Sequence, residues 1–481
     1  MASTSLSRAS WYWIFGLILA ASSVLILFNL GGGRPFWDFD EANYAEVIVD
    51  TQQSGDLLTL TYHGGNWYEK PPLYFWLSMG FDDVFGNPEF SYRLTAALAG
   101  IGSIALVMLI AFELSTNAFV AAAAGCILLT IGPVVDTARQ VRLDAPVTAA
   151  ILLSIFCFLR GRRWPLWYLG VGAALGLGIM FKSVEAFFGI PFFLAYALVY
   201  KEWKWLRNAY LWIGAAAGVL IAAPWHVYET VVRGAVFWQT YLGVHVVERF
   251  TSNILPSGTW TVMQSAQYLW TFTEPWFPLF IGVIGLCVYA VARRKIEPFL
   301  RPVLVSAITA LVIFAIVFAS ATRIPTYFLP AYPFVALAIA TTGRYLLTRF
   351  PVLAQRKNVL LCIGIALFAI GSAVTMYVWL HLSPDQRAGD TVALDEKRAG
   401  LIMAQNPETL AYTYQYNFWD ALEFYSGKHL TKLALGQNLS QPIYVIIWSV
   451  YLQHFSFPPA LAAHFKTLYK GRALTLFYFS P

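Results

Sequence analysis

Charged side chains are scarce in this chain, so the places where they gather carry weight. The first is Phe36–Glu46, where Asp40 and Glu41 stand side by side. Paired carboxylates there suit a general base, or equally a helix start, since Asp40 can cap and Glu41 suits the helix dipole. The second is Asn66–Trp76, where Glu69 and Lys70 precede Pro71 and Pro72 and project an anion and a cation from a stiff turn. The third is Arg139–Pro146, where Asp144 is a second acid and an ion pair with Arg142 is its plainer reading. In the fourth, His245 and Arg249 are four apart, and on a helix they share a face. The fifth joins Arg323 to Tyr327 ahead of Pro330 and Pro333, and Lys182 adds another cation. Lys70, Lys182, Arg249 and Arg323 suit a phosphate, and a carboxylate among them suits proton transfer. That is the composition required by group transfer from a lipid phosphate.

The elements that must position these residues are membrane helices. Hydrophobic residues are 58% of the 481 and charged residues 12%. A soluble domain carries about twice that charge, so soluble, disordered and disulfide-scaffold classes are excluded. The four cysteines, Cys126, Cys157, Cys287 and Cys362, lie in apolar runs and read as packing residues. Eleven stretches are apolar enough to be spans, at 11–30, 94–114, 118–135, 146–160, 165–181, 184–200, 209–225, 277–292, 302–320, 327–343 and 358–380. A hidden broken pair would raise the number to thirteen. The first stretch lacks a clean cleavage site and reads as a retained span.

Basic residues set the orientation. Arg160, Arg162 and Arg163; Lys201, Lys204 and Arg207; Arg293, Arg294, Lys295 and Arg301; and Arg344, Arg349, Arg356 and Lys357 fall in four alternate loops. The positive-inside rule puts these loops in the cytoplasm. The segments 31–93, 136–145, 226–276, 321–326 and everything after 381 then lie outside, together with the chemical residues. The long outer loops 31–93 and 226–276 belong to a membrane domain at 1–381.

Residues 382–481 read as a separate extracytoplasmic α/β domain. Helices are predicted at 392–405, 417–426 and 458–467, with strands at 409–415, 430–435, 442–447 and 473–479. The predicted fold class is therefore a polytopic α-helical membrane protein of about 11–13 transmembrane helices with a small extracytoplasmic C-terminal α/β domain. No nucleotide or nucleic-acid motif occurs, and the glycines at 31–33 lack phosphate-loop spacing.

The motifs, taken in order, resemble a known family. They are Asp40-Glu41 with Tyr44-Ala45-Glu46, Gly55-Asp56, Tyr68-Glu69-Lys70-Pro71-Pro72-Leu73-Tyr74, Arg93-Leu94, Arg142-Leu143-Asp144, Pro224-Trp225, His245 with Arg249-Phe250, Pro275-Trp276, and Tyr327 with Leu329-Pro330. Together they resemble the polytopic lipid-linked-sugar glycosyltransferases of GT-C type, which include the lipid A aminoarabinose transferases and the protein O-mannosyltransferases. Glu-Lys-Pro-Pro and the His-to-Arg-Phe motif are closer to the aminoarabinose branch. The resemblance implies a sugar passed from a polyprenyl-phosphate carrier to a glycolipid such as lipid A, a polysaccharide or a protein, on the outer face of the cytoplasmic (inner) membrane.

The resemblance also implies roles. Asp40 is the catalytic carboxylate, with Glu41 beside it and Asp144 as the second acid. Lys70, Arg249 and Tyr327 lie near the carrier phosphate, with Lys182 and Arg323 as further cations. Glu69 and His245 match positions that can hold a divalent metal (Zn, Mg or Mn), although no metal is required. The family often has lysine where Arg323 stands, and similarity in the last 100 residues is weak. A flippase or transporter of the same lipid is the rival from another class. It would place ionisable residues at mid-membrane depth, whereas here they cluster at the outer ends.

Overall fold

In lipid a backbone amide has no water to bond, so an apolar stretch must close its hydrogen bonds within a helix. The computed structural model describes residues 8–32, 34–37, 40–253, 259–350, 371–372, 384–414, 419–433, 440–452, 455–457 and 459–481. The chain begins with α1 (Arg8–Leu27), α2 (Asp40–Ser54), the strands β1 (Thr61–Tyr62) and β2 (Gly65–Asn66), α3 (Leu73–Phe85) and α4 (Pro88–Ser115). It continues with α5 (Ala118–Leu129), α6 (Gly132–Ala138), α7 (Asp144–Gly161), α8 (Tyr168–Lys182), α9 (Ile190–Tyr200), α10 (Ala209–Arg233), α11 (Ala235–Trp238) and α12 (Arg249–Thr251). Then come α13 (Val262–Phe272), α14 (Trp276–Ala292), α15 (Arg301–Ala319) and α16 (Tyr332–Arg349). The last part holds α17 (Pro384–Ala404), β3 (Leu410–Thr413), α18 (Asp420–Ser426), β4 (Thr431–Lys432), β5 (Ile443–Trp448), α19 (Pro459–Ala462), β6 (Phe465–Lys470) and β7 (Leu474–Phe479).

Ten of the eleven expected spans coincide with helix, and the eleventh, 358–380, falls almost wholly outside the described residues. By length and composition, five helical stretches among the described residues can cross a membrane, or seven if two bent pairs each count once. One of the five, Pro165–Tyr200, is two legs. The Phe158 ring meets Tyr168 at the start of α8 (6.1 Å) and Tyr196 late in α9 (5.3 Å), so the chain doubles back between them. The reversal follows Lys182, at Ser183, whose φ is +62°. The bent pairs are α5 with α6 (69°) and α13 with α14 (106°), the broken helices the sequence left open. Cys126, Cys157 and Cys287 are free thiols, and Cys362 lies outside the described residues.

The chain divides into two units, 1–28 with 68–77 and 93–381, and 29–67 with 78–92 and 382–481. In this division one break falls between residues 381 and 382. Most of the first outer loop, however, belongs with the C-terminal part rather than with the membrane domain. The reason is aromatic: Phe36 packs on Tyr92 (5.9 Å) and edge-on to Phe424 (4.9 Å), and Lys397 pairs with Glu89 at 2.6 Å.

In the first unit, the Gly172-x-x-x-Gly176 face of α8 meets the Gly214-x-x-x-Gly218 face of α10. A Cβ on any of the four would overlap the facing backbone, so the helices approach as closely as small residues allow. One end of this unit is basic. Arg160 pairs with Glu113 (2.8 Å), Arg162 with Glu202 (3.0 Å) and Arg349 with Glu297 (3.4 Å). The Arg301 guanidinium lies over Tyr200 and that of Arg344 over Phe299. The four basic loops of the sequence thus meet through their described residues at one end. α7 connects this end to Asp144, about 27 Å away at 1.5 Å per residue.

The second unit holds a five-stranded sheet of order β4-β3-β5-β7-β6. β3 runs parallel to β4 and β5, and the β5–β7 and β6–β7 pairs are antiparallel. β5 alternates as a buried strand should: Tyr444 and Ile446 face one core with Trp419 and Leu422, and Ile443, Val445 and Ile447 face the other with Phe479. The helix expected at 458–467 is only the single turn α19. Residues from Phe465 onward form the edge strand β6 instead, because Phe465 stacks on Phe457 (3.7 Å) and pairs with Phe479.

Candidate active site

Two helix ends and one buried loop build the main charged cluster of the first unit. Asp144 opens α7 and Lys182 closes α8. An acid in the first turn and a base in the last turn each suit their own helix dipole. The two helices run antiparallel, so these ends coincide, and Lys182 Nζ donates to Asp144 Oδ1 at 2.6 Å with both side chains 6% exposed. The partner the sequence suggested was Arg142, but its Nε is directed to Gln140 Oε1. Glu185, on the turn just after α8, lies 3.9 Å from Lys182. Sequence reading missed it, although its spacing of three from Lys182 was visible.

The Glu69-Lys70 loop is held from behind. Tyr68 packs with Met180 of α8, Ala222 and Trp225 of α10, and Phe237 and Tyr241 beyond it. Residues 239–248 form a π-helix, a form common at functional sites. It carries His245, whose Nδ1 is 3.4 Å from Glu69 Oε2. Burial, then the cations Lys70 and Arg249, hold His245 down to about 3, so the imidazole is neutral at ordinary pH. Its contact with Glu69 is therefore not an ion pair.

Arg249 reaches Tyr327 Oη (3.2 Å) and Glu69 Oε2 (3.7 Å). Main-chain bonds from Ala321 and Thr322 to Phe250 and Arg249 fix the segment. Lys182 Nζ stands 5.1 Å from the centre of the Tyr327 ring. Lys70 is buried at 6% exposure and makes no hydrogen bond or ion pair among the described residues. Burial, and then Arg249, lower its pKa. Arg323 bonds main-chain carbonyls. Its Nε donates to the Trp260 carbonyl (2.9 Å) and its Nη1 to the Ser320 carbonyl (2.5 Å), so it ties loops together.

A cavity of about 140 Å³ opens among these groups. Asp144, Lys182, Glu185, His245, Arg249 and Tyr327 line its polar side, and Val147, Phe188, Phe250, Ile316 and Val317 its apolar side. A charged end against an apolar wall fits an amphipathic phosphate. Glu69 and His245 offer a metal two ligands, short of the three that a catalytic zinc takes from protein. The Arg249 guanidinium stands 3.7 Å from the same carboxylate oxygen.

Asp40 and Glu41 lie in the second unit, at the first turn of α2. Asp40 is half-buried. Glu41 is buried, and its Oε2 accepts the Trp37 N–H at 3.3 Å, which is the capping task. The structure thus brings Glu69, Lys70, Asp144, Lys182, His245, Arg249 and Tyr327 together in one unit and carries Asp40 and Glu41 in the other.

Known proteins share parts of this sequence and its fold. The family described as dolichyl-phosphate-mannose-protein mannosyltransferase matches residues 69–228. The undecaprenyl phosphate-alpha-4-amino-4-deoxy-L-arabinose arabinosyl transferase of Enterobacter sp. (strain 638) is 25% identical over 320 residues, 64% of this chain and 55% of its own length. The same-named protein of Pseudomonas aeruginosa (strain UCBPP-PA14) is 25% identical over 384 residues, 76% of this chain and 65% of its own. The chain thus spans between half and two thirds of the length of these relatives. The crystal structure of ArnT from Cupriavidus metallidurans bound to undecaprenyl phosphate superposes with a TM-score of 0.73 at 20% identity, covering 98% of each chain. The fold is that of a polytopic membrane protein with a small C-terminal sheet domain, and the likeness to lipid-linked-sugar glycosyltransferases read from the motifs recurs at every level.

Proposed function

We propose that this chain is a glycosyltransferase that moves a sugar from a polyprenyl-phosphate carrier to an acceptor on the extracytoplasmic face of the membrane. The observation that carries the reading is Lys70, a buried cation with no partner among the described residues, coupled to Arg249 beside a half-apolar cavity. A buried charge is kept only where something compensates it. A lipid phosphate supplies both the anion and the apolar tail. The similarity to arabinosyl transferases supports an undecaprenyl-phosphate-linked amino sugar as donor and lipid A or a related glycolipid as acceptor.

In the proposed reaction an acceptor oxygen attacks the anomeric carbon, the bond from that carbon to the phosphate oxygen breaks, and the configuration inverts. The negative charge left on the carrier phosphate is met by Lys70 and Arg249. The proton of a hydroxyl acceptor goes to Asp40, a role that rests on its motif. No step is routed through a metal.

Purified protein supplied with polyprenyl-phosphate sugar and lipid A tests the reading. Transfer is expected, and Asp40→Asn should slow it at least about a hundredfold while leaving the protein folded, because Asn caps a helix as well as Asp does but takes no proton. Near-normal transfer by that variant refutes the assigned base, and no transfer by the wild type with any carrier sugar refutes the enzyme. The proposed location is the cytoplasmic membrane with the C-terminus outside. A tag after Pro481 should then be accessible in spheroplasts and one in the 293–301 loop should not.

A further inference from the structure

The second unit holds a cluster that the transfer reaction does not use. α2 supplies Glu46, the β1–β2 turn His63, α18 Glu423 and the turn after it His429. One donor atom from each lies within 4.8 Å of all the others. We propose that these four side chains bind a divalent transition-metal cation of the zinc class.

Three features support a built site. First, Glu46 is 5% exposed and its Oε2 has no hydrogen-bond partner. The carboxylates of Asp50, Glu423 and Asp420 lie near enough to act on it electrostatically. So much convergent negative charge must be neutralised by a proton or a cation. Second, the donors are oriented from behind, as metal ligands commonly are. Glu423 Oε1 is pinned by the Leu430 N–H (2.6 Å), which leaves Oε2 toward His63 Nε2 (2.6 Å). The His63 ring stacks on Tyr62 (3.8 Å), and Tyr62 Oη donates to Asp420 Oδ1 (2.6 Å). Third, the donor set is chemically selective. Two imidazoles with two carboxylates suit zinc and its transition-metal neighbours rather than magnesium or calcium, which prefer all-oxygen sites. In a zinc tetrahedron the ligand atoms stand about 3.4 Å apart. The exposed rings of His63 and His429, now 5.0 Å apart between centroids, can turn to reach that spacing. The cation would join residues 46 and 63 to residues 423 and 429, which are far from them in sequence.

The test uses full-length protein in detergent, stripped with chelator, dialysed against zinc at pH 7 and assayed by elemental analysis and calorimetry. One zinc per chain is expected in the wild type and in Glu69→Gln. Uptake should weaken at least tenfold in His429→Ala, whose exposed side chain should leave the metal-free melting at the wild-type value, and in the His63→Ala/His429→Ala double variant. No zinc in the wild type would show that a proton neutralises Glu46 and would overturn the proposal. So would full uptake by the double histidine variant, or loss of zinc in Glu69→Gln.

Discussion

Removing the Asp144 carboxylate should leave the buried Lys182 with only the more distant Glu185, at 3.9 Å, to offset its charge. At 2.6 Å and an effective dielectric of about 20, the attraction between Asp144 and Lys182 is of order 6 kcal/mol. Desolvation of both ions offsets much of it, and breaking such a pair from one side costs about 3–5 kcal/mol. Asp144→Leu and Lys182→Met should each lower thermal stability in detergent by that order. The double variant Asp144→Leu/Lys182→Met should recover most of the loss, since buried pairs replaced by apolar groups are often neutral. Lys182→Met and the double variant should also lose donor binding, because Lys182 lines the cavity. Thermal unfolding gives the cycle and donor titration the second readout. Single variants that melt within about 1 kcal/mol of the wild type, the range of a hydrated surface pair, would refute the argument.

Lys70→Ala and Arg249→Ala should each weaken donor binding by about 1.5–3 kcal/mol, the size of a charge-assisted hydrogen bond. Titration with polyprenyl phosphate measures this, and unchanged affinity in both variants would move the phosphate elsewhere. Gly218→Val should lower the melting temperature through about 1–3 kcal/mol of overpacking against the Gly172 carbonyl, whereas Gly102→Ala, with open space around it, should not. Glu46 sets a pH dependence for the metal-free protein. Its carboxyl is raised in the fold from 4.5 to about 9, so its contribution is complete below about 4.5 and is lost as pH rises toward 9. Melting should fall across that window, and Glu46→Gln should flatten the fall.

Much of this was legible in the sequence because the signals were local. Apolar length found ten helices that the structure contains, and the alternation in 442–447 found the buried strand β5. His245 and Arg249 fell on one face because they are one turn apart. Missed features depended on partners distant in sequence. Asp144 pairs with a lysine 38 residues away. The edge strand β6 exists because Phe465 finds Phe457 and β7, which outweighs the helix pattern of 458–467. Phe36 carries the first outer loop into the C-terminal unit through rings at positions 92, 424 and 425. The Glu46–His429 cluster, assembled from four separate segments, has no linear spacing by which it could be found.

The four glycines between α8 and α10 leave main-chain atoms to set the distance between the helices. Main chain has no rotamers to exchange, so the two helices behave as one stiff strut. Lys182 sits at its tip, six residues or about 9 Å beyond Gly176. Trp225, on the other half of the strut, backs the Tyr68 ring that precedes Glu69 and Lys70. A shift of this helix pair would therefore carry the backbone of Lys182 and the packing behind Lys70 together.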